Sequence, residues 1–206
     1  IHGPYWSRDG KHNYVVARAI DNKDRWILSL DVSNLTLRVI DRQHDEAWIG
    51  GPGIGSYYGP GEMGWIDNET IWFHSEETGY SHLYTYHFPK AKKLALTSGN
   101  YEVQSAELSK DRKYFYVTTN EVHPGEKHFY RFPLSGGKAQ QLTSMTGANE
   151  VSLSPDEKWL AIRHSYSNKP WELFLQENKP GAKPQQITTS TSKEFSTYAW
   201  RDPQLI

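Results

Sequence analysis

Hydrophobic and polar positions along this chain come in short bursts, and one stretch shows the pattern most clearly. Residues 65–98, WIDNETIWFHSEETGYSHLYTYHFPKAKKLALTS, read as a short strand, a polar turn at Asp67-Asn68 and a strand over 71–74. A hairpin turn at Thr78-Gly79, a third strand over 82–88 and a fourth ending in Leu96-Thr97-Ser98 follow. Short runs rich in aromatic and β-branched residues, bounded by turn residues, predict antiparallel sheet. Leu83 and Thr85 alternate with Tyr84 and Tyr86, as a strand with two different faces requires. No stretch keeps a helical period over three turns.

The rest of the chain repeats this stretch. YWSRDG at 5–10, GWIDNE at 64–69, ELSKDR at 107–112, SLSPDE at 152–157 and AWRDPQ at 199–204 align on Trp6, Trp65, Leu108, Leu153 and Trp200. The spacings between those marks are 59, 43, 45 and 47 residues, and the last three match or approach the period of four-stranded propeller blades. An aromatic second strand recurs after each mark: Tyr14-Val15-Val16, Ile71-Trp72-Phe73, Tyr114-Phe115-Tyr116 and Trp159-Leu160-Ala161. Third strands recur at Trp26-Ile27-Leu28, Leu83-Tyr84, Phe129-Tyr130 and Leu173-Phe174, and fourth strands at Val39-Ile40, Leu96-Thr97-Ser98, Leu142-Thr143-Ser144 and Ile187-Thr188-Thr189. Asp9-Gly10, Lys110-Asp111 and Pro155-Asp156 supply hairpin turns. A small sheet with two apolar faces must stack on its neighbours, so the expected fold is all-β, a partial β-propeller of about four four-stranded antiparallel blades. The blades fall at about 5–62, 63–104, 105–149 and 150–197 of a single domain over 1–206, a fragment of a larger propeller.

Composition changes this picture little. Hydrophobic residues make up 36%, but aromatics reach 14%, with 8 Trp and 13 Tyr, and each aromatic buries enough area to hold a small sheet core. There is no apolar run of transmembrane length. The formal net charge is −1 with both signs interspersed, so nucleic acid is not an expected partner. The chain has no cysteine, which rules out a disulfide scaffold and any thiolate zinc site.

Candidate chemistry is sparse. The extra length of the first blade is a glycine-rich run, GGPGIGSYYGPG at 50–61, which matches neither G-x-G-x-x-G nor a P-loop. It reads as a flexible insert carrying Trp48, Tyr57 and Tyr58, and loops on rigid scaffolds often bind ligands. No G-x-S-x-G elbow exists, and Ser56 lacks the strand–turn–helix context of a nucleophile. His74, His82 and His87 lack carboxylates at ligand-like spacing, so no metal or cofactor is expected. Glu76 and Glu77 could hold an amine, but adjacent strand residues point opposite ways. The 121–128 stretch reads as a polar turn, and the sequons at Asn34 and Asn68 matter only in a glycosylating host.

SEETGYSHLY (75–84), LTSGNYEV (96–103), TNEVHPGEKHFYR (119–131) and SLSPDEKWLAI (152–162) resemble the amino-terminal propeller region of dipeptidyl peptidase IV-like serine peptidases, in the prolyl oligopeptidase clan. The resemblance extends over essentially the whole chain, and YAWRDPQLI (198–206) is similar to the strand leading from propeller to α/β-hydrolase domain in that family. It implies a seven- or eight-bladed parent propeller that gates and positions oligopeptides for a hydrolase domain of the same polypeptide. That domain holds the catalytic Ser, Asp and His, so no catalytic residue is expected here and the chain alone should be inactive. The family's paired glutamates belong to an earlier blade, and Glu76-Glu77 does not inherit their role. The loop after Trp48 is similar to the region that reaches toward the substrate channel, without the basic residue some members place there, which leaves Trp48, Tyr57 and Tyr58 as expected peptide contacts. Export to a periplasm or cell surface is also implied. Open sheet faces predict a homodimer. A free-standing propeller scaffold binding proteins or glycans is the alternative reading; a propeller glycosidase would need an inward carboxylate pair that the sequence does not single out.

Overall fold

A computed structural model describes residues 1–203. Strands β1 (His2–Trp6), β2 (Asn13–Arg18), β3 (Asp24–Asp31) and β4 (Thr36–His44) form the first sheet. The second comprises β5 (Met63–Trp65), β6 (Thr70–Ser75), β7 (His82–His87) and β8 (Lys92–Ala95). The third comprises β9 (Val103–Leu108), β10 (Tyr114–Thr119), β11 (His128–Pro133) and β12 (Gln140–Gln141), and the fourth β13 (Ala148–Leu153), β14 (Trp159–Tyr166), β15 (Lys169–Glu177) and β16 (Gln185–Gln186). In every sheet the strands lie in chain order, the antiparallel meander that the repeat predicts. Among the described residues the only helix is a 3-10 turn at Phe195–Thr197. The chain divides into two compact units, Ile1–Leu108 and the residues from Ser109 on.

Three of the four repeats open with the same turn, which follows directly on the register mark; the second has Ile66 where the others have serine. Ser7, Ser109 and Ser154 donate to Asp9, Asp111 and Asp156 at 2.8, 2.8 and 2.7 Å. The same hydroxyls accept backbone N–H groups at or just before the start of the next strand: His12 at 3.0 Å, Tyr114 at 3.0 Å and Trp159 at 2.9 Å. Three residues after each Ser the backbone is left-handed, at Gly10 (φ 72), Arg112 (φ 56) and Glu157 (φ 57). Only the first position carries the residue that adopts this conformation without cost.

The fourth strands end earlier than the sequence pattern suggests. Expected at Leu96-Thr97-Ser98, Leu142-Thr143-Ser144 and Ile187-Thr188-Thr189, they stop at Ala95, Gln141 and Gln186. The threonine is the reason: its side chain, not its backbone, takes up the next donor of the third strand. Thr97, Thr143 and Thr188 accept from the N–H groups of Leu83, Phe129 and Leu173 at 3.0, 2.9 and 2.8 Å.

In the first unit the core joins sheets one and two: Tyr14, Val16, Ile27 and Ile40 pack with Ile71, Phe73, Tyr84 and Tyr86. Burying one such side chain is worth about 1.5–3 kcal/mol. Strands β6 and β7 are buried on both faces. A bulge in the β3–β4 ladder, where Ile27 faces Asp41 and Leu28 faces Val39, inserts Ile40 and buries both Ile40 and Asp41. In the second unit Tyr116, Phe129 and Leu142 pack on Leu160 and Ile162. The opposite face of the fourth sheet leaves Trp159, Trp171, Leu173, Leu175 and Ile187 exposed. At the carboxy end, residues 198–203 are not a strand, and Gln204–Ile206 of the expected lead-in lie outside the described residues.

Candidate substrate-contact loop

The glycine-rich insert is anchored rather than flexible. The β2–β3 ladder sets Arg18 directly opposite Arg25, a like-charge pair that would be unfavourable without acceptors. The loop supplies them as backbone carbonyls. Arg18 Nη1 donates to Ile49 O at 2.9 Å and to Asn22 Oδ1 at 2.6 Å, and its Nη2 to Gly55 O at 3.0 Å. Arg25, 1% exposed, donates to Pro60 O at 2.9 Å and to His74 O at 3.1 Å. Burial pushes the Arg25 guanidinium down to about 10, against the opposing pull of Asp41. Ser81 donates to Pro52 O at 2.7 Å, and Ile49 and Ile54 are buried.

The glycines are required by close approach. Gly53, at φ +69, lies so near the His74 ring that a Cβ would fall 2.6 Å from it. A Cβ on Gly55 or Gly61 would fall within 2.4 Å of loop backbone, whereas one on Gly51 would meet only the movable Glu76 side chain. The run therefore buys contact with sheet two, where the sequence alone suggested looseness.

Trp48, Tyr57 and Tyr58 are exposed by 69, 83 and 92%. Asp45 Oδ1 accepts from the Trp48 N–H at 3.1 Å and fixes the turn before it. Tyr57 and Tyr58 meet edge to face with centroids 5.6 Å apart, across a bridge between Ser56 and Gly59. Trp48 and Tyr57 line a groove of about 780 Å³ with Arg18, Ile20, Asn22 and Ile49. Tyr58 lies outside that lining, so two of the three expected contacts converge.

The other candidates resolve into structural roles. Glu77 pairs with Lys93, which also donates to the buried Asp41 at 2.5 Å. Burial disfavours the Lys93 ammonium, but these two carboxylates outweigh it and hold its pKa above the usual lysine value. Glu76 packs against Gly51, so the two glutamates do not converge on an amine. His82 is fixed by Thr97 and the Gly99 carbonyl at 3.0 Å each, and His87 lies 3.5 Å from Glu69. Glu62, His74 and Ser81 stand in series: His74 Nδ1 meets Ser81 Oγ at 3.0 Å, while its Nε2 lies 3.4 Å from Glu62 without a hydrogen bond. It is no nucleophilic triad: Ser81 is fully buried and its proton is directed at Pro52 O.

The two arginines are the residues that sequence reasoning missed. Their signal was a cross-strand arginine pair in a hairpin beside an insert rich in free carbonyls.

The family model for the dipeptidyl peptidase IV N-terminal region matches residues 4–171. The chain belongs to that family. A probable dipeptidyl peptidase 4 of Aspergillus fumigatus is 28% identical over 125 residues, 59% of this chain and 16% of that protein. The dipeptidyl peptidase 4 of Trichophyton equinum is 26% identical over 193 residues, 90% of this chain and 24% of that protein. The crystal structure of Porphyromonas gingivalis dipeptidyl peptidase 4 superposes with a TM-score of 0.66 at 16% identity, over 95% of this chain and 27% of that one. The fold is thus a partial β-propeller, and the chain spans about a quarter or less of these relatives' length.

Proposed function

We propose that this chain is the non-catalytic propeller part of a dipeptidyl peptidase IV-like serine peptidase, gating and positioning oligopeptides for an α/β-hydrolase domain carried elsewhere in the polypeptide. One observation carries the reading: an anchored loop presents Trp48 and Tyr57 at the rim of a groove of about 780 Å³, within a region whose family is that of dipeptidyl peptidases. Rigid aromatics lose little entropy on contact and suit the apolar side chains and peptide planes of an extended oligopeptide. The propeller supplies no nucleophile in this reading; it raises the effective concentration of substrate at the reacting groups. Export to a periplasm or cell surface belongs to the same proposal.

The test is the coding sequence that follows this segment in its gene, joined to an activity assay. A Gly-x-Ser-x-Gly elbow followed by Asp and then His, with dipeptide release from oligopeptides, supports the proposal. A stop codon soon after Ile206 overturns it and favours the binding scaffold.

A further inference from the structure

We propose that Arg18 is a positioning residue: one guanidinium bridges two loop carbonyls and thereby fixes the aromatic rim of the groove. The carbonyls are those of Ile49 and Gly55. The first adjoins Trp48, and the second lies two residues before Tyr57. Between them stand Gly50, Gly51 and Gly53, residues with the widest backbone freedom of any. A loop of that composition has many conformations of similar energy, and the bridge selects one in which both aromatics face the groove.

Arg18 and Arg25 divide the work. Arg25 is wholly buried, holds Pro60 O and the backbone of β6, and belongs to the core. Arg18 is half-buried at the groove surface. Asn22, left-handed at φ 64, completes the grip by accepting from Arg18 and donating to Ile49 O at 3.3 Å. The bridge needs a planar fork with several N–H donors at fixed angles. A lysine ammonium carries the same charge at a single point and cannot reproduce the fork.

What the rim touches rests on the function proposed above; the bridge itself does not. Amide hydrogen exchange on the whole chain tests it with Arg18→Gln and Arg18→Lys. The reporters are Ile49, Ile54 and Ser56, whose N–H groups bond Asn22 O, Gly51 O and Gly59 O; Val16 and Ile27 serve as core controls. Loss of three charge-assisted bonds, two of them to the loop carbonyls, at a half-exposed site should speed exchange of the reporters on the order of tenfold, with the controls unchanged. Arg18→Lys should remain close to Arg18→Gln.

Reporter exchange like wild type in Arg18→Gln overturns the bridge. Full restoration by Arg18→Lys overturns it too, because charge alone then suffices. Equal acceleration of reporters and controls in both variants makes Arg18 a core residue and likewise overturns it. Failure of the functional reading looks different: the reporters respond to Arg18, yet no oligopeptide protects them in the wild-type chain.

Discussion

Replacing Thr97 by Val removes one oxygen and leaves the side chain's shape almost unchanged. That oxygen accepts from the Leu83 N–H at 3.0 Å and meets His82 Nδ1 at 3.0 Å, and Thr97 is only 7% exposed. Water cannot replace either contact. Two buried polar groups left without partners should cost about 2–4 kcal/mol together. Thr143→Val is the single-contact counterpart. Phe129 N–H loses its acceptor at 2.9 Å, while His128 keeps the Thr143 main-chain carbonyl, so the cost should be about 1–3 kcal/mol. Thr188→Val faces solvent, where water replaces the bond to Leu173 N–H at 2.8 Å, and should cost below about 1 kcal/mol. Urea unfolding of the three variants, each scored on the transition of its own unit, gives the order Thr97 > Thr143 > Thr188. A Thr188 cost equal to that of Thr143, or a Thr97 cost near zero, would refute the idea that these side chains replace the ends of the fourth strands.

Four further outcomes follow from the same contacts. Asp111 and Asp156 are held below the usual carboxylate range chiefly by the Ser109 and Ser154 hydroxyls; their stabilisation is present above the unfolded value near pH 4 and lost as pH falls through the folded one, so Ser109→Ala and Ser154→Ala should flatten the acid limb of a midpoint-versus-pH curve. Burial pushes the Tyr14 phenol up to about 12, so stability should fall between about pH 10 and that value, and Tyr14→Phe should remove part of the fall in an alkaline titration. Gly53→Ala places a Cβ 2.6 Å from the His74 ring at a left-handed position, and should destabilise the first unit by more than about 2 kcal/mol in urea. With Trp159, Trp171 and Ile187 exposed on one sheet face, light scattering at micromolar concentration should show the isolated chain as a dimer, and a stable compact monomer would contradict that.

The period and strand chemistry of the repeat were legible because the mark of each of the four repeats ends a first strand and, in three of them, a local Ser–Asp turn follows it directly. Ser, Asp and the residue after them close that turn from within six positions, and the aromatic strand follows at once. The ends of the fourth strands were not legible, since Thr97 and Thr143 substitute a side-chain oxygen for a backbone one and propensity alone cannot tell the two apart. The glycine-rich insert misled for a related reason. Its order comes from Arg18, Arg25, His74 and Ser81, which act across the first unit, whereas local composition reports only the freedom that glycine has by itself. Trp48 and Tyr57 could be picked out as exposed aromatics, but not that they share a groove whose lining leaves out Tyr58, because that depends on the path of the folded loop.

The central claim, that this propeller positions peptides for a hydrolase, is tested most directly in the full-length polypeptide with Trp48→Ala and Tyr57→Ala. Steady-state kinetics would be measured on an oligopeptide and on a dipeptidyl chromogenic substrate too short to reach the rim. The account predicts a loss on the order of tenfold in kcat/KM for the oligopeptide, the scale of one lost aromatic contact, with the short substrate unaffected. Equal losses on both substrates, or none on either, would contradict it.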